Sequence, residues 1–249
     1  MITSLQHHRV TRLTLLDCGS FHVQGGARQI GIPAFLIDTD HGARLLVDGG
    51  FPPAYWSDPK AAAEADGLAT FGALQGYGPR QTLPEQLDLA GCSLAEITAL
   101  ILTHGHIDHV GALPFCPHLI LTATERADPR PRYFGSARPL QWPKIATHLI
   151  DGPTQLCHGL TLLPTPGHTP GHMSIRVDLP QSGTILLAAD AINRASEPAE
   201  GFADAEDPAT ASRSAEALFA LQFETGALLI YGHDPAQWLT LPKAPQFWA

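Results

Sequence analysis

The sequence predicts a layered, β-rich α/β fold, and three observations carry that expectation. Short apolar runs recur along the chain, and several end directly in a histidine or an aspartate. The 23 glycines and 22 prolines imply many turns and loops rather than long helices. One stretch, 209–221, has clear helical periodicity, with Ala215, Leu218 and Leu221 or Phe219 on its inward face. At 249 residues the chain exceeds the commonest domain size, yet layered β-rich folds often run this long as one unit. Residues 1–249 are therefore expected to form a single domain.

Leu13–Asp17, Ala34–Asp38 and Arg44–Val47 read as early strands, with Asp40-His41-Gly42 turning the chain between the last two. Asp48 closes the third run before Gly49-Gly50. Phe51 to Pro84 is long and mixed, with a helical turn at Ala61–Ala65, and is expected to form a lid or rim over a site. Leu94–Ile97 leads into the apolar run Ile97–Leu102. Leu119–Thr122 reads as a strand, followed by a short helix at Glu125–Ala127 capped by Thr124. Asp128 to Pro143 is too broken by proline and glycine for a regular element. Its aromatics Tyr133, Phe134 and Trp142 suit core packing and pocket lining equally. Leu160–Leu163, Thr184–Ala189 and Ala227–Tyr231 read as further strands. The helix Ala209–Leu221, with Ser212 near its start, precedes the last of them.

Composition bounds the function. Hydrophobic residues make up 44% of the chain, enough for a large core, and charged residues only 16%. A net charge of −9 without a Lys/Arg cluster argues against a nucleic-acid groove. No apolar run approaches membrane-spanning length. Met1 to Arg12 lacks a basic segment followed by a long apolar core, so a cytoplasmic location is expected. Cys18, Cys92, Cys116 and Cys157 are scattered, with no Cys-x-x-Cys pair, and are expected to be reduced, mostly buried thiols rather than metal ligands.

Thr103-His104-Gly105-His106-Ile107-Asp108-His109 is the most informative stretch. Neutral imidazole is the commonest protein ligand for transition metals, and a carboxylate adds a harder oxygen donor. On a strand-to-loop turn, His104 and His106 can project to one side and leave Asp108 and His109 to face a second point. That arrangement suits two adjacent metal ions. A solvated His-rich loop is the plain alternative for a lone His-x-His, and the whole run disfavours it. His168, Asp190 and His233 each lie past the end of an apolar run, and strands emptying side chains at one rim gather ligands distant in sequence.

His104-x-His106-x-Asp108-His109, with His168, Asp190 and His233, resembles the metallo-β-lactamase superfamily with its complete two-metal ligand set. The likeness is closer to one branch, the metal-dependent N-acyl-homoserine lactonases. Leu46-Val47-Asp48-Gly49-Gly50, Thr165-Pro166-Gly167-His168-Thr169-Pro170-Gly171-His172 and the tail from Gly232-His233-Asp234-Pro235 to Lys243-Ala244-Pro245-Gln246-Phe247-Trp248-Ala249 carry it. The resemblance implies a four-layer αββα metallo-β-lactamase-like sandwich. It implies two divalent ions, the first on His104, His106 and His168 and the second on Asp108, His109 and His233, with Asp190 bridging. Zinc suits these donors, as do iron, cobalt and manganese. The implied reaction opens the ester bond of a lactone ring with a hydroxide held between the metals, and Asp108 passes a proton to the leaving alkoxide as general acid. The implied substrates are N-acyl-homoserine lactones, the chemistry of quorum quenching.

The same resemblance makes Asp48 an orienting carboxylate and gives His172 a hydrogen-bonding role behind His168. Gly19–Ile32 resembles a substrate-loop segment, which singles out His22 from His7, His8, His41, His118, His148 and His158, all read as surface or hydrogen-bonding residues. One position departs from the branch. A tyrosine three residues after the bridging aspartate is replaced by Asn193, whose amide can donate to a carbonyl with shorter reach. Asn193 therefore joins Asp108 as a catalytic candidate. Other readings are a hydrolase of another small lactone or ester, a phosphodiester or organophosphate hydrolase on the same dimetal centre, and a metal-binding scaffold without turnover. Zinc β-lactamases commonly place cysteine where Asp190 stands. The chain leaves no room for the flavodoxin domain of a diiron reductase, or for the helical substrate domain of glyoxalase II-like enzymes. The expected partner is a small-molecule lactone, with no nucleic acid and no membrane, and a homodimer is left open.

Overall fold

The computed structural model describes residues 5–23, 28–135 and 137–249. Among the described residues, twelve strands form two sheets. The first holds β1 (Val10–Val23), β2 (Gln29–Thr39), β3 (Arg44–Val47), β4 (Gly72–Gln75), β5 (Ala99–Ile101), β6 (His118–Thr122) and β7 (Ala146–Ile150), in the order β4-β1-β2-β3-β5-β6-β7. The second holds β8 (Thr154–Cys157), β9 (Leu160–Pro164), β10 (Met173–Leu179), β11 (Gly183–Ala189) and β12 (Leu228–Tyr231), in the order β12-β11-β10-β9-β8. Antiparallel hairpins build one side of each sheet. Parallel pairs β3–β5, β5–β6, β6–β7 and β11–β12 build the other.

The inner faces of the two sheets share one apolar cluster. Leu13, Leu36 and Leu100 from the first sheet meet Leu160, Ile175 and Leu187 from the second, all fully or almost fully buried. The outer faces carry helices. Pro208–Thr225 presents Ala211, Ala215 and Leu218 to Leu186, Ala188 and Leu229 in a second cluster. Leu83–Leu89 buries Leu83 and Leu87 on the first sheet, and Gln86 Oε1 accepts the Asp17 N–H at 2.8 Å. Helix, sheet, sheet, helix is the αββα layering expected from the sequence.

The strand runs read from sequence are present, with changed limits. β1 and β2 extend well beyond Leu13–Asp17 and Ala34–Asp38 to form a long hairpin. Within the Gly19–Ile32 segment, residues 24–27 lie outside the described residues, and the flanks are strand. The segment Leu94–Glu96 is a short 3-10 turn, and the strand after it is only Ala99–Ile101. The short helix begins at Ala123 with Thr122 as its cap, not Thr124, because the Thr122 hydroxyl accepts the Glu125 N–H at 3.1 Å. The long helix is Pro208–Thr225, starting one residue before the expected Ala209 and running four past Leu221, because Asp207 accepts the Thr210 N–H and Pro208 suits the first turn. Four strands, β4, β7, β8 and β10, were not legible as strands. β7 is an edge strand with a largely exposed face, so it lacks the apolar alternation that would mark it.

β3, β5, β9, β11 and β12 all deliver their following residues to one rim. Asp48 follows β3, Thr103 and His104 follow β5, and His168 lies in the loop after β9. Asp190 follows β11, and His233 comes two residues after β12. Carboxyl ends of strands are where such sheets present their chemistry.

Candidate metal centre

All seven donors predicted from sequence come together at this rim. His104, His106 and His168 form one group, His104, His109 and Asp190 a second, and Asp108, His109 and His233 a third, with candidate ligand atoms within 4.8 Å of one another in each. The Asp190 carboxylate divides them. Its Oδ2 faces His168 Nε2 at 3.3 Å and His104 Nε2 at 3.9 Å, while its Oδ1 faces His233 Nε2 at 3.3 Å and His109 Nε2 at 3.4 Å. Asp108 closes the second side, 3.4 Å from His233 Nε2 and 3.6 Å from His109 Nε2. His168 Nε2 and His106 Nδ1 stand 3.0 Å apart. His104, His109, His168, Asp190 and His233 are buried, and His106 and Asp108 partly so.

The far sides of three rings are held. Asp48 is the hub: its Oδ2 accepts from His109 Nδ1 at 2.8 Å and from the Thr103 hydroxyl at 2.8 Å, and its Oδ1 accepts the Thr103 N–H at 2.9 Å. With its proton given to Asp48, the Thr103 oxygen accepts from His104 Nδ1 at 3.1 Å. His233 Nδ1 donates to the Gly31 carbonyl at 2.8 Å. These bonds put the protons on Nδ1 and leave Nε2 of all three rings free to coordinate. His172 differs from expectation. Its Nε2 accepts the Asp190 N–H at 3.1 Å, and its Nδ1 meets the Thr165 hydroxyl at 2.9 Å, so it braces Asp190 rather than His168.

The residues fit a pair of cations. His104 Nε2, His109 Nε2 and Asp190 Oδ1 are buried without any hydrogen-bond partner, all aimed at the centre of the cluster. Orphaned buried polar atoms are rare and costly, and a cation is the partner that imidazole nitrogen and carboxylate oxygen share. Electrostatics agree. Burial opposes ionisation of Asp190, yet His233, His109, His168 and His104 together hold its carboxyl well below the usual range. Burial and the neighbouring imidazoles hold His104 and His106 well below the usual histidine value, as neutral ligands require. Against the pull of burial, Asp108, Asp48 and Asp190 push His109 up to about 10, and Asp190 and Asp108 push His233 up to about 9. Positive charge is wanted on the side where Asp108 and Asp190 converge.

Glu125 was not singled out by sequence, although Thr122-x-x-Glu125 has capping-box spacing. Its buried carboxylate turns away from the helix end to accept the Gly105 N–H at 2.9 Å and the Thr169 hydroxyl at 2.8 Å. Asn193 also departs from expectation. Its Nδ2 donates to Glu197 Oε1 at 3.1 Å and its backbone N–H to Glu197 Oε2, so the amide is engaged behind the wall rather than offered freely to a carbonyl. Its backbone carbonyl accepts the His233 N–H at 2.8 Å.

A cavity of about 770 Å³ opens over the cluster, with His106, Asp108, His168, Asp190, Asn193 and His233 at its floor. One wall is apolar, from Phe21, Val23, Ile30, Phe51, Leu68 and Phe71 together with Tyr133 and Phe134. The Phe51–Pro84 segment therefore lines the cavity as expected of a rim, and the Phe71 and Phe134 rings meet at 4.7 Å. Asp66 secures this wall by accepting both the Tyr55 and Tyr133 phenols. Trp142 is a core residue whose Nε1 donates to the Asp128 carbonyl at 2.7 Å. Strand alternation turns Phe21 and Val23 to the cavity and His22 away from it. At the mouth, Asp204 lies 3.6 Å from Arg28 and 3.5 Å from Arg194, and Glu206 pairs with Arg132.

An αββα sandwich that gathers histidines and aspartates from both sheets at one rim defines a protein with a dimetal-type donor set. Residues 27–233 match the family model of the metallo-beta-lactamase superfamily, and the chain belongs to that superfamily. An N-acyl homoserine lactonase, AttM, from Azorhizobium caulinodans is 30% identical over 269 residues, covering 95% of this chain and 98% of that one. The N-acyl homoserine lactonase AiiA of Bacillus thuringiensis subsp. kurstaki is 28% identical over 227 residues, covering 86% and 85%. Among solved structures, an N-acyl homoserine lactone hydrolase with the product N-hexanoyl-L-homoserine bound at its catalytic metal centre superposes with a TM-score of 0.79. Its identity is 23%, covering 96% of this chain and 100% of that one.

Metal-replete protein is expected to carry about two divalent ions per chain by elemental analysis. Because ions bound only by the folded state stabilise it by mass action, chelation is expected to lower Tm and metal return to restore it. A Tm indifferent to chelation would leave the orphaned nitrogens without their partner.

Proposed function

We propose that the protein is a metal-dependent lactonase that hydrolyses the ring ester of N-acyl-homoserine lactones. The observation that carries this reading is a seven-donor centre at the floor of a cavity with one long apolar wall. The relatives named above, two of them matching over most of the chain, support the same substrate class. His104, His106 and His168 would hold one divalent cation and Asp108, His109 and His233 the other, with Asp190 shared between them. Zinc is the cation proposed, on the strength of a purely nitrogen and oxygen donor set with buried, fixed imidazoles. Two such cations supply Lewis acidity and the means to ionise water near neutral pH.

Ring opening adds water across the acyl–oxygen bond. The carbonyl carbon gains a hydroxyl, and the ring oxygen leaves as an alkoxide that needs a proton. Asp108 is the proposed carrier of that proton, since it belongs to the donor cluster and also faces the cavity. The apolar wall of Phe51, Leu68, Phe71, Tyr133 and Phe134 suits an acyl chain, which gains by leaving water. Asp48, Gly31 and His172 fix ring orientations and the Asp190 backbone, so that the donors do not reorganise during turnover. Asn193 contributes by holding the His233 backbone and closing the floor, with Glu197 fixing it from behind. A cytoplasmic location is proposed on the four unpaired, buried thiols, which a reducing compartment maintains.

The test is acid release from short-chain and long-chain N-acyl-homoserine lactones and a non-homoserine lactone, beside chromogenic phosphoesters, with and without chelator. Chelator-sensitive hydrolysis of the homoserine lactones is expected. Negligible rates on all lactones with turnover of a phosphoester would transfer the site to phosphorus chemistry. Asp108→Asn keeps an oxygen donor but no transferable proton, so kcat is expected to fall about 10²–10⁴-fold while most of the metal remains. Full kcat in that variant would assign the proton to another group. Asn193→Ala is expected to cost less than about tenfold in kcat, short of the 10²–10³ of a lost oxyanion donor. A larger loss, without loss of metal, would return Asn193 to the reacting carbonyl.

A further inference from the structure

We propose that Glu125 is a positioning residue that sets the affinity of one cation subsite, that of His104, His106 and His168, without setting the other. The proposal rests on reading those histidines as cation ligands. Glu125 is 1% exposed and does not face the donor cluster. Its two oxygens reach two separate loops: Oε1 accepts the Gly105 N–H at 2.9 Å, and Oε2 accepts the Thr169 hydroxyl at 2.8 Å. Gly105 lies between His104 and His106, and Thr169 directly follows His168. One rigid carboxylate thus fixes the spacing between the two chain segments that supply all three imidazoles.

The span has little slack. Thr122 accepts the Glu125 N–H at 3.1 Å and donates to the Gly171 carbonyl at 2.6 Å, locking the helix start to the second loop. A Cβ on Gly171 would come within 2.1 Å of the Glu125 backbone nitrogen, and one on Gly105 within 2.8 Å of the Arg132 nitrogen. The second loop therefore presses on the short helix at backbone contact, and the first is held between the Glu125 carboxylate and the backbone at Arg132. The second donor group is braced elsewhere. Asp48 holds His109, and the Gly31 carbonyl and the Asn193 carbonyl hold His233. Loss of the Glu125 carboxylate should loosen one subsite and leave its neighbour in place.

The test follows zinc release from the fully loaded protein against a graded chromophoric chelator, with no reliance on activity. The parent is expected to release two equivalents. In Glu125→Ala, one equivalent is expected to leave at about 10–100-fold lower chelator concentration, the usual consequence of losing a partner behind a ligand, with the other unmoved. Glu125→Gln should recover most of the loss, because its amide oxygen still accepts from Gly105 and its nitrogen can donate to Thr169. Thr169→Val removes one of the two bonds at nearly constant volume and should shift the same equivalent by less, which keeps the test open if Glu125→Ala fails to fold. Equal loosening of both equivalents, or release curves superposable on the parent's, would overturn the proposal. A parent that never holds two equivalents would instead overturn the dimetal reading beneath it, and the proposal with it.

Discussion

Burying imidazoles and carboxylates in an apolar sandwich costs several kcal/mol per unmatched group, and the architecture around the rim answers that cost. Asp48 shows how. Its carboxylate is 4% exposed and accepts three hydrogen bonds, from His109, the Thr103 hydroxyl and the Thr103 N–H. Through Thr103 it also reaches His104, so one acid sets the tautomer of two ligand rings. The outer nitrogens of His104, His109 and His233 are matched in this way, while His104 Nε2, His109 Nε2 and Asp190 Oδ1 on the inner side have no partner. The imbalance is directional. It leaves the interior of the cluster as a place where positive charge is stabilised.

Two of the three non-glycine residues with positive φ among the described residues lie at the same rim. Asp48 has φ of 58° and Ala189, directly before Asp190, has φ of 47°, in the left-handed region that non-glycine residues seldom occupy. Such conformations cost roughly 1–3 kcal/mol each and persist where the surroundings hold them. The hydrogen bonds to Asp48, and the Asp190 N–H bound to His172, are those surroundings. At Ala189 the pairing of β11 with β12 also shifts by one residue, which turns the following aspartate out of the sheet and over the cluster. A carboxylate that must face two groups of histidines at once cannot follow the regular alternation of a strand. The irregularity is the means by which Asp190 escapes it.

The donors were readable because metal chemistry restricts residue type and because each follows an apolar run. His104, His106, Asp108 and His109 stand out by their own local spacing, and His168, Asp190 and His233 follow strand ends, while the family resemblance separates them from Asp48, which also follows a strand. The supporting groups were readable in part. Asp48 stood at a strand end, but Glu125 resembled an ordinary capping-box acid, and nothing local shows that its carboxylate turns to Gly105 and Thr169 instead. His172 carried the family pattern yet braces a different ligand from the one expected, since the partner of a buried ring is decided by tertiary approach. The same limit applies to β7, an edge strand with little to bury, and to Asn193, whose amide is directed by Glu197, an acid with no local signal that places it there.

Specificity is built from the least regular parts of the chain, and this separates it physically from the chemistry. The donor cluster rests on strand ends whose backbones are fixed by two sheets. The cavity walls come from the ends of the β1–β2 hairpin, the segment around Leu68 and Phe71, and the loop bearing Tyr133 and Phe134. These pieces touch through side chains more than through sheet ladders: two phenols on Asp66, a ring contact between Phe71 and Phe134, and ion pairs joining Asp204 to Arg28 and Glu206 to Arg132. Partly exposed ion pairs of this kind contribute little to stability, typically below about 1 kcal/mol, so the mouth can vary in composition without disturbing the floor. A fold arranged in this way can keep one hydrolytic centre while the loops above it change the lactone they admit.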